Sequence, residues 1–171
     1  MVPRLKPAPD AAAQPVDNEQ AAIAVLRQFR QVFNAVKSHF QQVEKTVGIG
    51  GAQVWALSVV REHPGIGVGA LARAMSIHQS TASNLVRTLI DREMVVAAKQ
   101  GADRRAVQLN LLPAGAKVLK NAPGPFAGVL PDALKALSPD ALARLQGDLA
   151  RLIVLIDADE RGASILLSDG L

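Results

Sequence analysis

The chain has 171 residues, a formal net charge of +4 and a hydrophobic share of 49%, of which little is aromatic. A chain of this size fits one compact domain or a small domain plus a dimerisation arm, and its core must be built mainly from aliphatic side chains. No apolar run approaches the ~20 residues that span a bilayer. Since the N-terminus also lacks the apolar segment of a secretory signal, we expect a cytoplasmic protein.

The residue types needed for common catalytic and metal sites are missing or scattered. The chain has no cysteine, which excludes disulfides, thiolate catalysis and Cys-based zinc sites. Its three histidines show no metal-binding spacing. The sequence GIGVG at Gly65–Gly69 looks like a dinucleotide-binding turn, but a predicted helix precedes it where that turn needs a strand. We therefore predict no enzyme activity, no catalytic residues, no cofactor and no metal.

The first predicted element is a long amphipathic helix. Residues 1–16 contain four prolines and four alanines without periodicity, which predicts a disordered tail. From residue 17 to residue 47 a helix is expected, with Asp17 or Asn18 as its N-cap. Its apolar stripe advances in alternating steps of three and four: Leu26, Phe29, Phe33, Val36, Phe40, Val43 and Val47. Such a stripe is equally typical of a core helix and of a dimerisation helix.

A compact lobe is predicted over residues 52–111. Glycines 48, 50 and 51 end the first helix, and a second helix runs from about residue 52 to residue 62. Residues 69–94 then have the pattern of two short helices that cross over a tight turn at Ser76-Ile77. Ala72 and Ala82 are small enough to allow close backbone approach at this crossing, and Ile77 would fill the gap between the helices.

The outward face of the second crossing helix carries short polar side chains and an arginine. Such side chains hydrogen-bond base edges and phosphates in the DNA major groove. The alternative is an ordinary solvated helix. The residues are Gln79, Ser80, Thr81, Ser83, Asn84 and Arg87.

After this helix the pattern becomes extended. Residues 95–98 and 107–111 read as two strands, joined by a basic loop that contains Asp103, Arg104 and Arg105. A hairpin directly after a recognition helix is a wing, whose arginines can enter a minor groove.

The last third of the chain is predicted as helices broken by prolines. Pro113 suits the first position of a helix. Interruptions are expected at Pro123-Gly124-Pro125 and again near Pro131, leaving two shorter pieces. A final helix opens at Ser138-Pro139 and carries a second stripe: Leu142, Leu145, Leu149, Leu152 and Ile156. Two long apolar stripes exceed what one small domain buries, which predicts a homodimer.

The segments LARAMSIHQSTASNLVRTLIDREM, DRRAVQLNLLPAGAKVL and LSPDALARLQGDLARLI resemble the MarR family of transcriptional regulators. The resemblance implies a mainly α fold with a small β-hairpin wing: a winged helix-turn-helix lobe plus N- and C-terminal dimerisation helices. The implied organisation is a MarR-type domain over 17–160, in which 17–47 and 113–160 dimerise, followed by a C-terminal tail over 161–171. It further implies that Asp103 orients Arg105 in the wing.

The resemblance also implies release from DNA by a small aromatic or phenolic effector, and we predict that this effector binds near His39, Phe40 and Trp55. A structural role for His39 is the alternative. Two features depart from the family pattern. Glu93-Met94 stands where a glycine usually ends the recognition helix, and the prolines interrupt the usual stalk helix.

The function predicted from the sequence is a sequence-specific transcription regulator, a repressor, that acts as a homodimer on inverted repeats in double-stranded DNA. The alternative is a winged-helix protein-interaction module without DNA binding. The polar face of the second crossing helix and the wing arginines favour DNA.

Overall fold

The computed structural model describes residues 18–99 and 107–158. Over these ranges the chain is mainly helical, with one two-stranded antiparallel sheet, which confirms the predicted fold class. The elements in chain order are α1 (Asn18–Val47), α2 (Gly51–Glu62), α3 (Val68–Ala74), α4 (Gln79–Asp91), β1 (Val95–Lys99), β2 (Val107–Leu111), α5 (Pro113–Asn121), α6 (Val129–Lys135) and α7 (Pro139–Leu155). No helix among the described residues combines the length and the apolarity needed to cross a membrane.

By its internal contacts the chain divides into two units, residues 1–33 and residues 34–171. The described part of the first unit is the beginning of α1. The rings of Phe29 and Phe33 stack there, with their centroids 6.2 Å apart. Leu26 is 50% exposed and Phe33 is 45% exposed, so this half of the predicted stripe leaves large apolar side chains in contact with water.

The core of the second unit lies among the end of α1, helices α2 to α5 and the hairpin. Its fully buried side chains are aliphatic, as the low aromatic content predicts: Leu57, Leu71, Met75, Leu89, Leu109, Val43, Val54, Val60 and Val95. Val36 and Val43 of α1 are buried, whereas Leu26 and Phe33 are exposed. The core interpretation therefore holds for Val36 and Val43, while dimerisation through the exposed part of the stripe stays a prediction.

Helices α3 and α4 cross over the tight turn that the sequence predicts. Ala72 is 4% exposed, Ala82 is fully buried and Ile77 is 8% exposed, which confirms the small residues at the crossing and the apolar filler between them. Ser76 takes a positive φ of 54°. This conformation lets the amide of Ile77 donate to the carbonyl of Ala72 at 3.0 Å, so the end of α3 is capped as the chain turns.

The hairpin is joined to the helical part of the lobe along β2. Leu109 pairs with Ala97 of β1, and on its other edge it forms a bridge with Ile66. The amide of Leu109 donates to the carbonyl of Ile66 at 3.0 Å, and the amide of Gly65 donates to the carbonyl of Leu109 at 2.9 Å. Both backbone hydrogen bonds of Leu109 therefore go to residues 65 and 66, while the other edge of β2 pairs with β1.

The prolines of the last third lie mostly where they were predicted. Pro113 opens α5, and the segment 122–128 with Pro123 and Pro125 separates α5 from α6. The predicted interruption near Pro131 is wrong. Helix α6 begins after Gly128 and contains Pro131 in its first turn, where the missing N–H would have no partner within the helix anyway.

Helix α7 begins at the predicted residues. The hydroxyl oxygen of Ser138 accepts a hydrogen bond from the amide of Ala141 at 3.3 Å, an N-cap of the usual kind. None of the side chains of α7, all of which lie in the described part of the chain, is buried. Leu142 is 41% exposed, Leu152 37% and Ile156 64%, so the second apolar stripe is open to water along its length.

Candidate nucleic-acid interface

The exposed face of α4 is centred on Ser80, Asn84 and Arg87. Their spacing of four and three residues places them on one side of the helix, and all three are exposed. None of their side chains makes a hydrogen bond to another described residue. Their donors and acceptors are therefore available to a partner molecule.

Gln79 and Ser83 lie on one flank of this face, and Thr81 lies on the other. Ser83 and Thr81 are half-buried, while Gln79 is exposed. The hydroxyl of Ser83 donates to the carbonyl of Gln79 at 2.8 Å. Because its hydrogen is committed to the helix backbone, Ser83 offers a partner mainly an acceptor oxygen.

The charge along α4 favours an anionic partner at its N-terminal half. No acidic residue lies in the first turn, where the helix dipole places partial positive charge. The acidic residues Asp91 and Glu93 lie at the opposite end, on either side of Arg92. Arg87 contributes a full positive charge to the exposed face.

The end of α4 shows how the chain manages without the expected glycine. Glu93 has a positive φ of 55°, the conformation that glycine usually supplies at this position. Its amide donates to the carbonyl of Ile90 and the amide of Met94 donates to the carbonyl of Leu89, both at 2.9 Å. These two bonds form a Schellman motif, so Glu93 keeps the glycine geometry at a conformational cost.

The structure describes the base of the wing but not its tip. The two strands occupy the predicted positions, with β1 one residue longer than expected. Asp103, Arg104 and Arg105 lie outside the described residues, so their DNA-binding role stays a prediction.

The residues singled out for an effector are engaged inside the protein. Nε2 of His39 is 2.9 Å from the carbonyl oxygen of Pro125, which supports the alternative of a structural histidine. The ring of Phe40 packs against Gly51 and Gly128, where a side chain would collide with it. Trp55 is partly buried against the core. An effector site at these residues stays a prediction.

Sequence reasoning missed a groove beside α4. It has a volume of about 520 Å³, and the polar side chains that line it belong to Gln79, Ser83 and Gln108 of β2. The strand pattern marks Gln108 only as a polar position. Its closeness to the recognition helix results from the packing of the hairpin on the helices, including the bridge between Ile66 and Leu109. No local sequence pattern predicts such contacts between distant segments.

Comparison with known proteins agrees with this architecture. Residues 47–106, from the end of α1 to the wing, match the sequence model of the MarR family. No curated protein sequence matches the chain significantly.

Among solved structures, the chain resembles MepR of S. aureus in its complex with DNA. The two are 20% identical, 76% of this chain and 96% of that chain are covered, and the TM-score is 0.55. It also resembles the transcriptional regulator BldR from Sulfolobus solfataricus (20% identity, 81% and 99% covered, TM-score 0.51) and the reduced form of MarR from E. coli (19% identity, 74% and 94% covered, TM-score 0.50). At these identities the likeness shows a shared fold.

MarR-family proteins are transcription regulators and not enzymes. The family match covers the segment that forms the helix-turn-helix and the first strand of the hairpin. Residues 47–106 match the MarR family within a winged-helix fold, which confirms the resemblance seen in the sequence and supports DNA-binding transcription regulation.

Proposed function

We propose that the protein is a homodimeric repressor that binds an inverted repeat in double-stranded DNA, with α4 of each protomer in the major groove. The observation that carries this proposal is the exposed face of α4, where Ser80, Asn84 and Arg87 have no partner among the described residues. Burying such groups without replacement hydrogen bonds is unfavourable, so the face suits a partner rich in hydrogen-bonding groups.

The comparisons support DNA as that partner. A structure with the same fold, MepR of S. aureus, was solved in complex with DNA. An α-helix fits the major groove of B-DNA, and a short side chain near its N-terminus can reach base edges. A protein-interaction surface at this place would be expected to carry apolar or aromatic anchors, which the centre of the face lacks.

We propose that a second copy of the chain buries the exposed apolar stripes of α1 and α7. The exposed leucines of α7 and the exposed apolar residues at the start of α1 are too extensive for a stable soluble monomer. In a two-fold dimer, both protomers use the same surface patch, so one kind of contact covers the stripes of both. The two copies of α4 would then read half-sites about one helical turn, ~10 bp, apart.

The helix and the predicted wing have separable roles in this proposal. Asn84 offers an amide that pairs well with adenine, and Arg87 reaches guanine or a nearby phosphate. Arg105, oriented by Asp103 and assisted by Arg104, supplies positive charge to a minor groove or to the backbone. Loss of Asn84 should therefore reduce sequence preference, and loss of Arg105 should weaken binding to all sequences.

A salt titration tests both roles. Fluorescence anisotropy with a duplex from the protein's own promoter region and a scrambled duplex would compare wild type, Asn84→Ala and Arg105→Ala. We expect Asn84→Ala to cost roughly 1–3 kcal/mol on the specific duplex only. Arg105→Ala should weaken both complexes and flatten the salt dependence by about one unit of slope.

The control is Gln41→Ala, which removes an exposed amide from α1, far along the chain from the helix-turn-helix. It should bind both duplexes as the wild type does. If Asn84→Ala and Arg105→Ala also bind as the wild type does, α4 and the wing are not the DNA-reading surface. The protein-interaction alternative would then take their place.

Control by a small aromatic effector is the finer part of the proposal. A ligand at His39 and Phe40 would have to replace the contacts that these residues make with Pro125, Gly51 and Gly128. It would change DNA affinity only if it binds the DNA-competent and incompetent states differently. A panel of phenolic and carboxylate compounds that changes neither the melting temperature nor the DNA affinity would exclude this control.

A further inference from the structure

We infer that the groove between α4 and β2 holds the sugar–phosphate backbone of the bound DNA, with Gln108 as a phosphate-contacting residue. This inference rests on the proposed DNA-binding function and extends the interface from the helix to the strand beside it.

The groove continues the recognition face on one side. Gln79 and Ser83 lie on the flank of α4 and line the groove, while Asn84 and Arg87 project from the adjacent exposed face. When α4 lies in the major groove, the backbone that borders the major groove passes beside the helix. The flank that carries Gln79 and Ser83 is therefore positioned to meet it.

The lining of the groove suits a phosphate in two ways. No acidic residue lines it, so an anion meets no like charge there. The side-chain amide of Gln108 is half-buried and makes no hydrogen bond to another described residue, which leaves its two N–H donors available. Glutamine, like serine, is a frequent donor to phosphate oxygens in protein–DNA complexes.

The groove is also lined by Gly65, Gly67 and Gly69 together with Val68. Gly65 has a φ of +83°, which accounts for glycine at that position. Gly69 has no such reason, since a Cβ there would lie 3.8 Å from the nearest atom, the Nη1 of Arg73, in ordinary contact. It lies inside α3, where alanine is the better helix former. A methyl group at this position would narrow the groove without disturbing the free protein.

Strand β2 holds Gln108 in place against the groove. Gln108 pairs with Ala98 of β1, and its neighbour Leu109 is buried and bridged to Ile66. The position of its backbone is therefore fixed by both edges of the strand. A donor on a fixed strand loses little conformational freedom when it binds.

The test measures DNA affinity against salt for the full chain carrying Gln108→Ala or Gly69→Ala. We expect Gln108→Ala to bind the promoter and scrambled duplexes roughly tenfold more weakly at every salt concentration, as for the loss of one hydrogen bond to a charged group. Because glutamine is neutral, its loss should leave the salt slope unchanged, unlike that of Arg105→Ala. Gly69→Ala should also weaken binding while its melting temperature stays equal to or above that of the wild type.

Asn110→Ala is the matched control, since Asn110 lies on the same strand and does not line the groove. It should bind DNA as the wild type does. Wild-type affinity of Gln108→Ala overturns the inference, as does a loss confined to the promoter duplex, which would indicate base reading. An equal loss in Asn110→Ala also overturns it, because the effect would then belong to the strand as a whole. Asn84→Ala, measured in parallel, reports on the proposed function independently.

Discussion

Replacing Glu93 by glycine should stabilise the protein, although it removes a side chain. Glu93 is held at a φ of +55° by the two hydrogen bonds that cap α4. A non-glycine residue in this left-handed conformation costs about 1–2 kcal/mol. Glycine relieves that cost but raises the conformational entropy of the unfolded chain, which offsets about 0.4–1 kcal/mol. The expected net gain is about 0.5–1 kcal/mol in the free energy of unfolding.

Glu93→Ala separates conformation from charge. A carboxylate at the C-terminal end of α4 interacts unfavourably with the helix dipole, and both substitutions remove it. Only glycine also relieves the backbone strain. The difference in stability between Glu93→Gly and Glu93→Ala therefore measures the cost of the positive φ less the unfolded-state entropy of glycine, about 0.4–1 kcal/mol.

The assay is thermal or urea unfolding of the three proteins at one protomer concentration, because dimerisation makes the midpoint depend on concentration. For a chain of this length, the expected gain corresponds to a rise of about 1–4 °C in the melting temperature. If Glu93→Gly is less stable than Glu93→Ala by the full unfolded-state entropy of glycine, about 0.4–1 kcal/mol, the positive φ at Glu93 stores no strain.

Three further substitutions test packing and assembly. Gly115→Ala should lower the free energy of unfolding by about 1–3 kcal/mol in urea titrations, since its Cβ would collide with the carbonyl oxygen of Met94; wild-type stability would contradict this contact. Phe40→Ala should lower the free energy of unfolding by about 1–3 kcal/mol in the same titrations, because the half-buried ring packs against Gly128. An unchanged urea midpoint would show that this packing contributes nothing to stability and that the ring is available to an effector. Leu152→Glu should convert a dimer into monomers in light scattering, and a monomeric wild type at micromolar concentration would refute the dimer.

Sequence periodicity predicted the helix-turn-helix well because its determinants are local. One short segment contains the small residues Ala72 and Ala82, the filler Ile77 and the polar face around Asn84. The role of each can be inferred from its residue type and its position in the segment. The structure adds a detail that the sequence does not reveal: the hydroxyl of Ser83 donates a hydrogen bond to the carbonyl of Gln79 in the same helix.

Other features depend on contacts between distant segments or on backbone detail. Gln108 lies near the recognition helix because the hairpin packs on the helices of the lobe and is bridged to Ile66. The position of Pro131 in a first turn was missed because a proline alone does not tell whether a helix breaks at it or begins just before it. The strain at Glu93 follows from the hydrogen bonds that cap α4. The sequence indicated only that the usual glycine is absent at this position.

The double pairing of Leu109 limits how this lobe can change during evolution. A slip of β2 by one residue would turn Leu109 away from the core and break its bonds to Ile66 and Gly65. Changes in the hairpin are therefore confined to the segment between the strands, whose length and charge can vary while α4 keeps its place. Under the proposed role of the wing, homologues can change their overall affinity for DNA independently of the bases they prefer.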